Sequence, residues 1–524
     1  MPWTAHERLI DKLIMDTFVF KRSMNLGTGT AESDGDFLEE CFVETPEYKT
    51  LADYDDHRMI ILGRTGAGKT ALLKTITRKV DIFIEIRPET FSLQYLANMP
   101  FVERLKQYGI NLVVFYKFLW VHEIVAQVIK NLFSRDRQNY IEKFKSLVGF
   151  ETNVVQMQKY LKENGDVFFD AQSAEKVTNQ LEAKLRAKFA HILEGAISAS
   201  ERKEIQIAAS EHVRTNQIAQ LQNVIVLLKG YLERNSQRKV FVAIDDLDMN
   251  WIADDTKYHL LSALLDSIRM FANIPGLKVM IAMRADLLEK TCRVAQRQNE
   301  KDFSFTLKLN WDEKLLWDVL QKRVQYLFSH KYSKNYHVKA NEVFEQSING
   351  VAVEKYFIER TMMRPRDLIT FVNLCIEHSD SQSIINTAAI IEAERDFLHD
   401  RRKALIAEWN QVYPNIELCL DLLYTFNDDF FLDDAKEAYP RLESAILSAP
   451  VENDDLVRQF LESSTEALRE RNVKQFLRML YTVGVIGKWE RDKAYFSNPA
   501  RPTLDERDFL EAEWFVVHPL FRKS

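Results

Sequence analysis

Residues 63 to 71 have the composition of a phosphate-binding loop. Gly63, Gly68, Lys69 and Thr70 fill the fixed positions of the pattern G-x-x-x-x-G-K-[ST]. Glycine lets backbone N–H groups close around phosphate oxygens, and the following helix offers its N-terminal dipole to the same anion. The lysine can reach the β- and γ-phosphates, and the threonine hydroxyl can hold Mg²⁺. The predicted nucleotide contacts of this Walker A loop are Gly63, Arg64, Thr65, Gly66, Ala67, Gly68, Lys69, Thr70 and Ala71, with Lys69 also expected to be catalytic.

Two adjacent carboxylates follow a short apolar run later in the chain. Val240 to Ile244 is wholly apolar and is followed by Asp245 and Asp246, which is the form of a Walker B strand. A carboxylate there lies at the carboxyl edge of a parallel sheet, where a phosphate-binding loop also lies. We therefore expect Asp245 to bind Mg²⁺ with Thr70, and Asp246 to polarise the attacking water. The plainer alternative is that these carboxylates only solvate the end of a strand.

A third apolar run, Leu277 to Met283, ends in Arg284. A cation at that strand end can stabilise charge on the γ-phosphate as it is transferred, so Arg284 is a predicted catalytic residue. A surface ion pair with Asp286 is the alternative interpretation.

The elements that must position these side chains form an α/β P-loop NTPase core. Strands are predicted at residues 59–62, 82–86, 240–244, 277–283 and 303–309, with helical patterns between them. Strand–helix alternation of this kind is typical of a parallel, doubly wound sheet over residues 45–310. A large helical insertion is expected at about 100–238, a helix and loop at 1–44, a helical lid at 311–400 and a further helical region at 401–524.

These motifs resemble the STAND and KAP branch of bacterial P-loop ATPases, with kinship to Orc-like AAA+ proteins. The resemblance rests on Gly63 to Thr70, on Val240 to Asp248 and on the strand ending in Met283-Arg284. Two more segments, Leu309-Asn310-Trp311-Asp312 and Met363 to Ile369, resemble FunZ-type proteins of this branch. The long insertion is not explained by the shared core.

The resemblance implies a parallel sheet of order 5-1-4-3-2 and a helical lid. It also implies that Arg284 senses the γ-phosphate and that Arg364 or Arg366 is a lid arginine that reaches the nucleotide. A salt bridge at the start of a helix is the alternative for both lid arginines, and Pro365 at a helix start fits either role. Proteins of this branch are often switches in signalling, stress response or phage defence.

Residues 473–480 predict a helix, and residues 483–489 and 494–496 then predict a strand hairpin, as in a winged-helix module. Basic residues near this helix could face DNA phosphates, but acidic neighbours favour docking of a protein over DNA. The basic residues are Arg469, Arg471, Lys474 and Arg478.

The amino-acid composition and the absence of certain motifs argue against several other classes of protein. A net charge of −7 argues against a global nucleic-acid surface, and the four scattered cysteines favour a reducing, cytoplasmic setting. The most apolar stretch, residues 110–133, is broken by charges, so no membrane span is expected. The chain has no Gly-Gly pair for an ABC signature and no Asn-Lys-x-Asp or Thr-Lys-x-Asp segment for reading guanine.

The sequence therefore predicts an ATPase that uses ATP and Mg²⁺ and works as a slow molecular switch. Its expected partners are further copies of itself or an effector protein. The alternatives are a nucleotide-gated scaffold and a DNA-associated ATPase, each without significant turnover.

Overall fold

A computed structural model gives the fold of the chain. The residues that it describes are 18–90, 112–134, 150–164, 183, 200, 203–205, 207, 219–249, 251–252, 254–297, 304–331, 337–448, 455–462, 465–491, 493–512 and 514–522. The predicted N-terminal helix, and most of the predicted insertion at 100–238, lie outside these residues.

The α-helices between residues 18 and 331 are α1 (Asp36–Glu40), α2 (Pro46–Ala52), α3 (Lys69–Thr75), α4 (Val113–Ser134), α5 (Phe150–Asn164), α6 (Ala219–Arg234), α7 (Asp254–Ile268), α8 (Ala285–Val294) and α9 (Glu313–Lys331). Those that follow are α10 (Val353–Arg360), α11 (Pro365–Glu377), α12 (Thr387–Trp409), α13 (Ile416–Leu422), α14 (Leu432–Glu437), α15 (Tyr439–Leu447), α16 (Asp455–Leu461), α17 (Glu466–Val483) and α18 (Glu506–Glu511). The strands are β1 (Ile60–Leu62), β2 (Ile82–Ile86), β3 (Val240–Ile244), β4 (Leu277–Met283), β5 (Thr306–Lys308), β6 (Ser347–Ile348), β7 (Val351–Ala352), β8 (Asp429–Phe430), β9 (Ile486–Glu490), β10 (Lys493–Phe496) and β11 (Trp514–Val517).

The chain divides into two compact units. The sheet unit contains Pro46–Leu62 and Leu72–Lys308. The loop unit contains Met1–Thr45, Gly63–Ala71 and Leu309–Ser524. The glycine-rich loop at 63–71 is thus grouped, by its contacts, with the C-terminal half of the chain.

The sheet unit is built on a five-stranded parallel sheet of order β2-β3-β4-β1-β5. From the other edge this order is 5-1-4-3-2, so the predicted order is confirmed. Strands β3 and β4 are buried along their whole length, which explains their uninterrupted apolar sequences. Helices α4 and α7 pack against each other beside the sheet, and Trp120 on α4 donates to the Leu260 carbonyl on α7 at 3.0 Å.

A large hydrophobic core lies in the described part of the loop unit, beside a small cluster of Val43, Val319 and Ile369. It runs from Phe18 and Phe20 through helices α9 to α12 and on to Phe515 and Phe521. The predicted boundary at residue 400 falls within α12, and the side chains before and after it share this core.

The C-terminal region contains the predicted helix and hairpin. Helix α17 ends at Gly484, whose φ of 94° is left-handed, and β9 and β10 then pair antiparallel. Strands β11 and β8 extend the sheet in the order β10-β9-β11-β8. The predicted helix and strand hairpin are present, and the winged-helix class of this module, formed by α17, β9 and β10, stays a prediction. Among the residues that the structure describes, no helix combines the length and the apolar composition needed to cross a membrane.

A buried lysine fixes the segment before β1. Lys278 on β4 is 4% exposed, and its Nζ donates to the carbonyls of Thr50, Asp53 and Asp56 near the end of α2. The last carbonyls of a helix have no partner within the helix, so a cation there is stabilising.

We predict that Lys278→Met lowers the free energy of unfolding by about 2 kcal/mol, because the three carbonyls lose a charged donor that is itself buried. Urea unfolding measures this change. Lys355→Met removes an exposed lysine, 67% accessible, and should change the stability by less than about 0.5 kcal/mol. Equal effects of the two substitutions would contradict the capping role of Lys278.

Candidate nucleotide site

The loop that follows β1 has backbone amides available for an anion. Gly66 and Gly68 have φ angles of 78° and 91°, a left-handed conformation that glycine adopts without strain. Within the described part of the chain, the amides of these two glycines have no acceptor, and the Thr65 Oγ1 atom is buried without a partner. Such a loop fits the phosphate groups of a nucleotide, because buried polar groups need hydrogen-bond partners.

The carbonyl groups of the same loop are held by residues that lie far along the chain. Arg364 donates from Nη1 to the Thr65 carbonyl at 2.7 Å, and Trp311 donates from Nε1 to the Ala67 carbonyl at 2.8 Å. The backbone N–H of Arg366 makes a longer bond of 3.5 Å to the Gly66 carbonyl. Three consecutive carbonyls are therefore bonded to the region after residue 309, while two amides have no acceptor among the residues that the structure describes.

Lys69 begins helix α3 and lies over its own loop. Its Nζ donates to the carbonyls of Gly63 and Arg64, each at 3.1 Å. A lysine on a four-carbon stem can exchange such neutral acceptors for phosphate oxygens, which are charged and bind it more strongly. Thr70 and Ala71 follow in the first turn of α3.

Behind the loop is a buried ion-pair network. Arg364 and Asp367 are 1% and 2% exposed and lie 3.2 Å apart, from Nε to Oδ2. Arg401 contacts Asp367 at 3.3 Å and Glu408 at 3.2 Å, and Glu408 also lies 3.5 Å from Arg364. Burial raises the pKa of Asp367, but Arg364 and Arg401 outweigh it and hold that pKa below its ordinary value.

The two predicted lid arginines differ in their surroundings. The guanidinium of Arg364 is engaged by the Thr65 carbonyl and two carboxylates. Arg366 uses Nε to donate to the Gly29 carbonyl at 2.8 Å, and its terminal nitrogens have no acceptor among the described residues. Its side chain lies against Gly66, where a Cβ atom would come 3.1 Å from that of Arg366. That either arginine contacts the nucleotide stays a prediction.

In the sheet unit, the predicted metal ligand and catalytic carboxylate follow β3. Asp245 is 4% exposed, and its Oδ1 accepts a bond from the amide of Asp246 at 2.9 Å. Asp246 has a φ of 58°, a left-handed conformation that is uncommon outside glycine but better tolerated by Asp and Asn. Strands β1 to β4 are parallel, so these carboxylates lie at the edge where β1 ends.

Arg87 is a neighbour of Asp246 that the sequence analysis missed. It follows β2, the strand beside β3, and its Nε lies 3.7 Å from Asp246 Oδ2. It also pairs with Glu85 at 2.7 Å. The available signal was its position, one residue after a strand whose carboxyl end lies at the same edge. Trp311 lies in a segment that resembles FunZ-type proteins, but its hydrogen bond to the loop was not predicted from the sequence.

Arg284 follows β4 and precedes α8. It is 7% exposed and forms a fork with Asp286, from Nε to Oδ1 and from Nη2 to Oδ2, both at 2.9 Å. The ion pair of the alternative interpretation is present, although the arginine is buried rather than on the surface. Its catalytic role stays a prediction.

The parallel sheet order, the glycine loop after β1 and the carboxylates after β3 together define a P-loop NTPase. Residues 51–309 match the KAP family P-loop domain, and residues 314–406 match the FunZ-associated C-terminal helical domain. These two matches confirm the KAP and FunZ-type parts of the resemblance found in the sequence, and the kinship with STAND and Orc-like proteins stays a prediction. Nucleotide binding is the property that this domain class implies.

The chain is also similar to a protein of Escherichia coli (strain K12) named "Putative transposon gamma-delta 80.3 kDa protein". The two are 22% identical over 517 residues, which cover 97% of this chain and 68% of that protein.

We predict that Trp311→Phe weakens nucleotide binding by about threefold to tenfold, because it removes one neutral hydrogen bond to the loop and keeps the ring. Calorimetry with ATP measures the effect. Trp317→Phe, a change of the same kind on α9, is the control and should leave the affinity unchanged. Unaltered ATP affinity in Trp311→Phe would mean that the Ala67 contact does not shape the loop.

Proposed function

We propose that the chain binds Mg·ATP at residues 63–71, hydrolyses it slowly and acts as a molecular switch. The observation that carries the proposal is the polarity of the loop. Its carbonyls are bonded to Arg364, Arg366 and Trp311, whereas the amides of Gly66 and Gly68 have no acceptor in the described residues. An anion with several oxygens satisfies that arrangement.

The predicted site residues would have distinct roles in binding and hydrolysing the nucleotide. The loop amides and Lys69 would bind the phosphates, and Thr70 and Asp245 would hold Mg²⁺, a cation that prefers oxygen ligands. When bound, the cation neutralises charge on the phosphates. Asp246 would orient the attacking water, and Arg284 would stabilise the charge that shifts during transfer. Adenine is favoured because the chain lacks a segment for reading guanine.

A switch is favoured over a simple hydrolase because the loop is bonded to the helical region that follows residue 309. Of the two lid arginines, Arg366 has terminal nitrogens without an acceptor among the described residues, so a phosphate could bind there. Arg366 lies with Pro365 at the start of helix α11. A contact made only with the γ-phosphate would bias a two-state arrangement of that helix. Changes of shape or assembly on ATP binding follow from this proposal.

The setting is part of the same proposal. Kinship with the STAND and KAP branch supports a role in cytoplasmic signalling or phage defence, with an effector protein or further copies of the chain as partners.

The second candidate is a nucleotide-gated scaffold or a DNA-associated ATPase. Its support is the winged-helix arrangement of the C-terminal region and the transposon in the name of the Escherichia coli relative. The charges favour a protein partner instead. Lys474 bonds to Glu470 at 2.9 Å and to Glu506 at 3.1 Å, and Arg478 pairs with Glu506. Two of the four basic residues near α17 are therefore neutralised.

We predict that Lys69→Ala weakens ATP binding by about 100-fold, because the point charge on the phosphates is lost. Calorimetry with Mg·ATP gives the affinity. Lys74→Ala, on the same helix, is the matched control and should bind normally. Normal binding by Lys69→Ala would place the nucleotide elsewhere.

We predict that Asp246→Asn keeps Mg·ATP bound but slows hydrolysis on the order of 100-fold, as expected for losing a group that orients water. Asparagine also tolerates the left-handed backbone at this position, so the substitution tests the charge. Single-turnover phosphate release measures the rate. If Asp248→Asn is slow and Asp246→Asn is normal, the role belongs to Asp248. A wild-type chain that binds ATP without turnover would favour the scaffold.

A further inference from the structure

The side chain of Arg64 leaves the glycine loop and ends in the winged-helix module. Its Nη2 donates to the carbonyl of Val483, the last residue of α17, and its Nη1 donates to the carbonyl of Ser497 at 3.2 Å. Ser497 directly follows β10. The guanidinium of Arg64 therefore contacts both the end of a helix and the end of a hairpin, and both lie more than 400 residues after it in the sequence.

The module makes room for this guanidinium. Gly484 follows α17 with a φ of 94°, and a Cβ atom there would lie 2.5 Å from Nη2 of Arg64 and 2.8 Å from Cε of Met362. A side chain at position 484 would thus meet Arg64 as well as backbone strain. The glycine serves both the helix end and the docked arginine.

The bond is of a kind that transmits small movements. A helix leaves its last carbonyls unpaired, and a cation near them is favoured by the helix dipole. The guanidinium is planar and its donors are fixed relative to each other, so it holds two carbonyls in one geometry. A shift of the loop at Arg64 must either move both carbonyls or break a bond.

The charges around Arg64 leave it dependent on those carbonyls. Among the described residues, the charged neighbours of Arg64 are two arginines, Arg364 and Arg401, which lower its pKa, and two carboxylates, Asp367 and Glu408, which raise it. Burial first, and then Arg364, lower the pKa of Arg64 to about 9. No carboxylate bonds to its nitrogens among the described residues, so the two module carbonyls are its direct partners.

We propose that Arg64 is a positioning residue that couples the nucleotide state of the loop at 63–71 to the winged-helix module, here α17, β9 and β10. The inference rests on the proposed function and adds its regulation. Phosphate binding fixes the loop, Arg64 carries that constraint to Val483 and Ser497, and the module becomes more rigid. By linkage, anything that displaces the module lowers the affinity of the loop for nucleotide.

Hydrogen exchange on the full chain, with and without Mg·ATPγS, tests this coupling. In the wild type, nucleotide should slow exchange severalfold in peptides that cover residues 60–75 and, separately, in peptides that cover residues 483–498. Arg64→Lys keeps the charge but cannot span two carbonyls as a fork. At an ATPγS concentration that saturates this variant in calorimetry, the added protection at 483–498 should fall by more than half relative to the added protection of its own loop peptide.

Two further variants make the test specific. Arg501→Lys changes an arginine of the same region that is 53% exposed, and it should behave as the wild type. Gly484→Ala approaches the contact from the module and should reproduce the effect of Arg64→Lys. Its fold is checked by circular dichroism, and the Arg64→Lys result stands by itself if Gly484→Ala does not fold.

The outcomes separate the two proposals. If the wild type does not bind ATPγS in calorimetry, the proposed function fails and the coupling fails with it. If it binds and exchange at 483–498 does not change, only the coupling is overturned. Full protection of 483–498 in Arg64→Lys would also overturn the role of Arg64.

Discussion

The hydrogen bond from the buried Arg364 guanidinium to the Thr65 carbonyl is the interaction on which the loop depends. A buried arginine is tolerated only when it is paired, and Asp367 and Glu408 pair this one. Removing one partner from such a network typically costs about 3–5 kcal/mol, far more than a surface ion pair. The conformation of the loop is thus tied to a network that cannot be loosened cheaply.

The ion-pair network itself is balanced, but Arg64 beside it adds a positive charge that matters for an anion. Among the described residues, Arg64, Arg364 and Arg401 bring three positive charges, and Asp367 and Glu408 bring two negative charges. The remaining charge is held by peptide carbonyls, whose dipoles compensate less well than a carboxylate. A phosphate bound by the loop amides would meet this excess, so the buried charges favour the ligand that we propose.

The sequence predicted the parts of the site that local pattern encodes. Strands β3 and β4 were predictable because both are buried throughout and read as continuous apolar runs, and the loop was predictable because its glycines and lysine have a fixed spacing. The contacts of Arg64 and Trp311 could not be predicted, because each joins residues that are far apart in the sequence through a backbone carbonyl. Arg64 is separated from its two partners by 419 and 433 positions, and Trp311 is separated from Ala67 by 244 positions. Every residue has a backbone carbonyl, so the residue types of Val483 and Ala67 do not indicate that they accept these hydrogen bonds. A salt bridge at the start of a helix was the alternative that the sequence offered for Arg364 and Arg366, and Arg364 forms one with Asp367, within one helical turn.

Consequently, the hydrogen bonds that hold the phosphate-binding loop come in part from residues outside the P-loop domain. The match to the KAP family P-loop domain ends at residue 309, yet the groups that hold the loop carbonyls, Trp311, Arg364 and Arg366, all lie beyond it. Arg64 extends the dependence to residues 483–497, past the end of the FunZ-associated match at 406. A loop that is held by neighbours from two later regions has fewer conformations to lose when phosphate binds, which favours affinity. It also means that each of those regions can change the affinity without contacting the nucleotide, because a shift in the carbonyls alters the amides on the same peptide planes.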